Sequence, residues 1–238
     1  MRAAAAGSGA GAFRAVLLTH LHSDHITDLN DIYTVRWVTS FQPNPLPVFG
    51  PGGTTALLAA TEAMLEPDIG YRLAHHEDLR WRPSAEVTEV TEVEAGVIFE
   101  EGAVRITAAP TDHAPVRPTL GYRIDDGNES VVIAGDTVPC AGLDELSRDA
   151  DVLVQTVVRR DLIEQFGLPR LTDVLDYHSS VTDAAETAAR NRVGTLLLTH
   201  PVPTPAPGTE EEWLGQARAH FDGTVVLATD LLIIEAHS

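Results

Sequence analysis

Thr19-His20-Leu21-His22-Ser23-Asp24-His25 places three imidazoles and one carboxylate within six residues. The string directly follows an apolar run, Ala15–Leu18, that reads as a strand. His20 and His22 are two apart, so in extended backbone both point to the same side. Asp24 and His25 follow where the chain should turn into a helix beginning near Thr27. Nitrogen and carboxylate donors of this kind suit zinc, and also iron or manganese. The plainer reading is a polar loop that happens to be His-rich. The H-x-H-x-D-H spacing beside an apolar strand is specific enough to favour a metal.

More donors then belong at other strand ends, where loops converge on a site. Thr111-Asp112-His113 follows the expected strand Val104–Ala109, and Gly135-Asp136-Thr137 follows Ser130–Ala134. Thr199-His200-Pro201 follows Thr195–Leu198. Any one of these alone is an ordinary turn residue or surface histidine. Together with the first string they make a set. The remaining strands are expected at Pro47–Phe49, Glu86–Val93, Val97–Phe99, Leu120–Ile124, Val152–Val154, Thr224–Leu227 and Leu231–Glu235. Helices are expected at Arg2–Ala6, Thr27–Val38, Thr54–Leu65, Leu143–Arg148, Thr182–Asn191 and Glu210–His220. The acidic run Glu86–Glu94 reads as a solvated strand face.

The chain has 238 residues, 16 Lys+Arg and 35 Asp+Glu, a formal net charge of −19. An apolar share of 44% with 21% charged residues belongs to a folded protein rather than a disordered one. One cysteine, Cys140, excludes an intramolecular disulfide framework. No apolar run approaches the roughly 20 residues that span a bilayer. Met1–Ala12 lacks the bulky apolar stretch of a signal peptide, so a cytoplasmic protein is expected. A charge of −19 repels phosphate backbones, which makes extended nucleic acid an unlikely partner.

The four segments in this order resemble the metallo-β-lactamase fold superfamily, and within it the ribonuclease Z and arylsulfatase-like branch. The narrower resemblance rests on Leu18–Ile26, Phe49-Gly-Pro-Gly-Gly53, His113-Ala-Pro-Val116 with Gly121-Tyr-Arg123, Gly135-Asp-Thr137 and Tyr177-His-Ser-Ser180. It implies one α+β domain over residues 1–238, a four-layer αββα sandwich. It implies two zinc ions per chain, with manganese or iron as alternatives. His20, His22 and His113 would hold one, Asp24, His25 and His200 the second, and Asp136 would bridge them. A hydroxide between the metals would then be the nucleophile, oriented by Asp24. His178 would assist the leaving group.

Two departures bear on the substrate. Ribonuclease Z enzymes usually carry a glutamate that partners this histidine, yet the matching stretch here is Val154-Gln155-Thr156. They also carry a basic, Gly-rich arm, and Ile26–Asp112 has no Lys-rich insert. The expectation is therefore a hydrolase of a small phosphodiester, sulfate ester, carboxylic ester or lactone. A tRNA 3′-end endonuclease and a catalytically weak metal-binding subunit are the alternatives. The metal string also starts only twenty residues in, which suggests that the first strands of the fold are missing. Dimerisation would cover the edge this leaves, so a homodimer is expected.

The other singular residues have bland readings. His75-His76 beside Glu77-Asp78 reads as an exposed mixed-charge segment, and His237 as tail. His220 would end a helix, where a cation suits the dipole. Cys140 reads as a small buried thiol and Trp37 as core. Arg159-Arg160-Asp161 could present cations to an anion or form a surface salt bridge.

Overall fold

The computed structural model describes residues 2–76 and 88–236. The chain divides into two compact units, Met1–Val93 and Glu94–Ser238.

The N-terminal unit carries a three-stranded, all-parallel sheet of β1 (Val16–Leu17), β2 (Leu46–Gly50) and β3 (Thr88–Glu92) in that order. Parallel pairing needs crossovers, which helices supply. After the short α1 (Arg2–Ala5) come α2 (Ser23–Ile26) and α3 (Leu29–Thr39), which lead from β1 to β2. α4 (Thr54–His75) leads from β2 toward β3. Leu18, Leu29, Leu46, Val48 and Leu58 form one buried cluster, and Trp37 packs on Ile69 in another.

Arg36 lies in this unit, only 3% exposed. Its Nε donates to the Asn44 carbonyl (2.7 Å), and Nη1 donates to the carbonyls of Ala10 (2.8 Å) and Phe13 (2.9 Å). Nη2 donates to Asn44 Oδ1 (2.7 Å) and the Pro45 carbonyl (3.1 Å). All the guanidinium donors are thus spent on the loops that flank β1 and β2.

The C-terminal unit is built on a seven-stranded sheet in the order β10-β9-β8-β7-β6-β5-β4. These strands are β4 (Gly96–Glu101), β5 (Val104–Pro110), β6 (Leu120–Asp126), β7 (Glu129–Ile133), β8 (Val152–Val158), β9 (Thr195–Val202) and β10 (Thr224–Leu227). β4 to β7 pair antiparallel, and β7 to β10 pair parallel. The parallel half is covered by helices, so its strands are apolar on both faces. β8 illustrates this: Val152, Leu153, Val157 and Val158 are all buried.

The helices of this unit are α5 (Ala141–Ser147), α6 (Arg160–Gln165), α7 (Pro169–Thr172), α8 (Val181–Arg190) and α9 (Glu210–Arg218). Ser180 and Asp183 form a reciprocal capping box that starts α8 immediately after His178-Ser179. α5 lies so close to β5 that a Cβ on Gly142 would meet the Pro110 carbonyl oxygen.

Several elements differ from expectation. The helix expected from Thr27 begins at Ser23 and breaks before Leu29, so Asp24 and His25 are helical. α4 runs ten residues past the expected Leu65 end and through Pro67, which lacks the N–H that would reach the Ala63 carbonyl. Leu231–Glu235 forms no strand, and Leu231 has φ 66°. α6 and α7 were not expected. Of the run Glu86–Glu94, Glu86 and Val87 lie outside the described residues. Glu92 is no bystander: its Oε1 accepts from the backbone N–H groups of Gly53 (3.1 Å) and Thr55 (2.9 Å), which caps α4. These bonds hold its carboxyl below the usual range. Among the described residues, no helix is long and apolar enough to cross a membrane.

Candidate metal centre

The N-terminal unit presents its donors from one continuous stretch. His20 is fully buried just after β1, and its Nδ1 lies 3.1 Å from Thr19 Oγ1. Its Nε2 lies 3.1 Å from His22 Nδ1, and the two rings meet edge to face. His22 is the N-cap residue of α2, and Asp24 sits in that helix's first turn. The His25 ring centroid is 4.2 Å from that of His20, and its Nε2 is 3.5 Å from Asp24 Oδ2.

The C-terminal unit assembles its donors from distant stretches. His113 is fully buried after β5, and its Nδ1 donates to the Tyr177 carbonyl at 2.8 Å. A carbonyl can only accept, so a proton is on Nδ1, and Nε2 lies 4.0 Å from Asp136 Oδ2. Asp136, 3% exposed, follows Gly135, whose φ of 68° makes the turn at the end of β7. His178 donates from Nδ1 to the Val174 carbonyl (2.9 Å), and its Nε2 is 3.3 Å from Asp136 Oδ2. That contact is a hydrogen bond only when Nε2 also carries a proton, the state in which it can give one up.

His200 lies within β9 rather than after it. Thr156 pairs with Thr199 and Val158 with Val202, so β9 has one residue more than β8 across this step. The extra residue is a bulge at His200-Pro201, where His200 takes φ 48°, uncommon for a residue with a Cβ. Leu196 and Leu198 face inward and are buried, whereas His200 is exposed.

This donor chemistry fits a metal. A ligating histidine typically engages its other ring nitrogen with an outer partner, which fixes ring and tautomer. His113 does so with the Tyr177 carbonyl. Ligand atoms of His20 and His22, of Asp24 and His25, and of His113 and Asp136 each lie within 4.8 Å of one another.

Other singled-out residues fall into place. Arg159 forms the salt-bridge alternative: 5% exposed, it grips Asp161 through Nε (2.8 Å) and Nη2 (2.7 Å) and stacks on Trp213. The guanidinium pulls the Asp161 carboxyl down to about 2. Cys140 is half-buried, with its sulfur 3.7 Å from Thr137 Oγ1. Trp37 is core, as expected. His75 and His76 lie at the end of α4, while Glu77, Asp78 and His237 lie outside the described residues. His220 falls beyond the end of α9 and pairs with Glu186 at 3.4 Å. The sequence reading missed the partners that hold the rings: the carbonyls of Val174 and Tyr177, which carry no side-chain signal.

Comparison with known proteins settles the family. A family model described as a Beta-lactamase superfamily domain matches residues 2–201. The "Ribonuclease Z" of Mycolicibacterium gilvum is 51% identical over 238 residues, spanning 99% of this chain and 82% of the relative. That of Mycobacterium bovis is 51% identical over 99% of this chain and 84% of its own length. Among solved structures, the human tRNase Z, short form, matches with a TM-score of 0.66 at 20% identity, covering 99% of this chain and 84% of that one. The metallo-β-lactamase fold protein YhfI from Bacillus subtilis also matches with a TM-score of 0.66, at 23% identity over 93% of this chain and 77% of its own. Neither of these curated relatives carries an arylsulfatase name, so that half of the resemblance gains no support.

The relatives overturn the expected partners, a small-molecule ester with extended nucleic acid unlikely. Net charge was the wrong guide, because it averages over a surface on which charges are screened within about 8 Å at physiological salt. What matters is the local field. The missing glutamate was a second misleading sign. Thr156 is buried and donates to the Gly135 carbonyl at 2.9 Å, while the Val174 carbonyl serves His178 instead. The chain is a metal-dependent hydrolase, and it belongs to the β-lactamase superfamily, in its ribonuclease Z branch.

Proposed function

We propose that the protein is a ribonuclease that cleaves transfer-RNA precursors at the 3′ end. The observation that carries this reading is the 51% identity to a ribonuclease Z across 99% of the chain. We read both units as one catalytic domain, a reading supported by a family match that runs through both. A cytoplasmic place of action goes with a transfer-RNA substrate.

In this reading His20, His22 and His113 would hold one zinc ion and Asp24, His25 and His200 a second, with Asp136 as a donor between the two sets. Such a pair of divalent cations supplies a nucleophile at neutral pH and offsets charge developing on the phosphoryl group. The protein's own residues do the rest. Asp24 accepts a hydrogen bond from the attacking water and so aims it at phosphorus. His178, held by the Val174 carbonyl, delivers the Nε2 proton to the leaving oxygen as its bond to phosphorus breaks. His113 keeps its ring orientation through the Tyr177 carbonyl, the residue next to His178.

The test combines metal analysis with cleavage of a transfer-RNA precursor bearing a 3′ trailer. The expected result is about two zinc ions per chain and a cut at the trailer junction. Protein that holds two metals yet leaves this substrate intact, while hydrolysing a small phosphodiester, overturns the substrate.

A further inference from the structure

The three loops of the C-terminal unit that bear His113, Asp136 and His178 meet at one residue outside the donor set, through its side chain on one side and its carbonyl on the other. Thr137 is fully buried. Its Oγ1 accepts from the Asp112 backbone N–H at 3.0 Å, which ties it to the His113 loop. Its single hydroxyl proton can go either to the Asp112 carbonyl (3.1 Å) or to the Val138 carbonyl (2.8 Å). The Val138 N–H also donates to the Asp112 carbonyl at 2.9 Å, so the two loops form a short antiparallel bridge around the hydroxyl. On the other side the Thr137 carbonyl accepts twice from the residue after His178. The Ser179 N–H donates at 2.9 Å and Ser179 Oγ at 2.7 Å.

We propose that Thr137 is a positioning residue that locks His113, Asp136 and His178 into one body before any metal or substrate arrives. The proposal rests on the metal reading given above but not on the identity of the RNA. His113 reaches the Tyr177 carbonyl, and His178 reaches both the Val174 carbonyl and Asp136 Oδ2. Those contacts run through the imidazole rings. The bonds through Thr137 instead hold the main chain of all three loops. Asp112 precedes His113, Thr137 follows Asp136 and Ser179 follows His178, so each bond acts one residue away from a functional side chain. The fully buried side chain leaves no room for water to take over the hydroxyl's bonds.

Thr137→Val keeps the volume and removes the hydroxyl, leaving the Asp112 N–H without its acceptor. Loss of an outer-shell partner typically weakens metal binding roughly 10–100-fold, and a loss in that range is expected here. It is read by competition of zinc with a chromophoric chelator, and by a changed absorption band of the cobalt(II)-loaded protein. Thr137→Ser keeps the hydroxyl and is expected to restore both. Thr119→Val serves as the control. Thr119 is also buried and donates to the Thr111 carbonyl (3.0 Å) at the base of the same loop, with no side-chain hydrogen bond to the other two among the described residues. It is expected to lower stability and leave metal affinity unchanged. Thr137→Val with wild-type affinity and spectrum overturns the proposal, and so does Thr119→Val with an equal loss of affinity.

Should Thr137→Val fail to fold, hydrogen exchange on the wild-type full chain decides. The Asp112 and Ser179 amides are expected to open with one common free energy, at exchange rates agreeing within about threefold after correction for sequence. Independent opening overturns the proposal. A wild-type chain that binds no zinc at all would instead sink the metal reading itself, so the two failures remain distinct.

Discussion

The two units deliver their donors in opposite ways. In the N-terminal unit His20, His22, Asp24 and His25 are neighbours in sequence, placed by the end of β1 and the first turn of α2. In the C-terminal unit His113, Asp136, His178 and His200 come from four separated segments, three of which meet around Thr137. A local string keeps its spacing through backbone geometry alone. A dispersed set keeps it only through tertiary hydrogen bonds, and any of these can fail. The C-terminal donors should therefore be sensitive to changes remote from them, and the N-terminal string much less so.

The largest expected effect comes from breaking the dispersed half at a donor. His113→Ala should remove metal and lower RNA cleavage by more than the roughly 100-fold typical of losing an outer-shell partner. Metal content and cleavage, measured on the same preparation, should fall together. Next comes His178→Gln, which separates proton delivery from metal holding. Turnover should drop about 10²-fold or more, the range for loss of a general acid, with metal content unchanged. Loss of metal in this variant would reassign His178 to the donor set.

The local half is best tested through its scaffold. Arg36→Met removes a buried cation and takes its donors away from the carbonyls of Ala10, Phe13, Asn44 and Pro45. A cost of about 3 kcal/mol is expected from losing these charge-assisted bonds to buried and part-buried acceptors, read as a lower urea midpoint. If the string is placed by local geometry, folded Arg36→Met should still bind zinc like the wild type. Reduced affinity in folded protein would erase the contrast between the halves.

The smallest effect is a pH dependence away from both donor groups. Asp161 titrates near 2 in the folded chain because Arg159 donates to it, below its ordinary value of 3.8. A depressed folded pKa gives stability that is present above the unfolded value and lost as pH falls through the folded one. Asp161 should therefore contribute to stability above about pH 4, and lose that contribution between pH 4 and 2. Asp161→Asn should flatten this limb of the acid-unfolding curve. The carboxylate is 47% exposed, so the change is small.

The contrast also explains what was legible in the sequence. The string His20–His25 could be read directly because its chemistry and its spacing lie in the same six letters. His113 and Asp136 were legible as strand-end residues once that string had set the expectation, whereas His200 was legible by type but sits inside β9 rather than past its end. Strand positions were readable because buried parallel strands such as β8 are nearly continuous apolar runs. Three things were not readable. Main-chain partners such as the Val174 and Tyr177 carbonyls have no letter of their own. Arg36 is one arginine among many until the loops close on it. Glu92 sits in an acidic run whose other members gave no hint that one carboxylate caps a helix 37 residues away from it in sequence. Net charge misled for a related reason: it is a sum, and recognition depends on placement.

The bulge in β9 has one more consequence. Leu196 and Leu198 point into the core, and an unbroken strand would send residue 200 the same way. The extra residue at His200-Pro201 shifts the alternation by one and turns the imidazole outward. Phase, rather than distance, is what the bulge controls. Deleting Pro201 would heal the ladder and look harmless to a test of secondary structure, yet it would drive a histidine toward leucines and away from the role proposed for it. A single residue of insertion thus marks where the strand stops serving the core and begins serving the site.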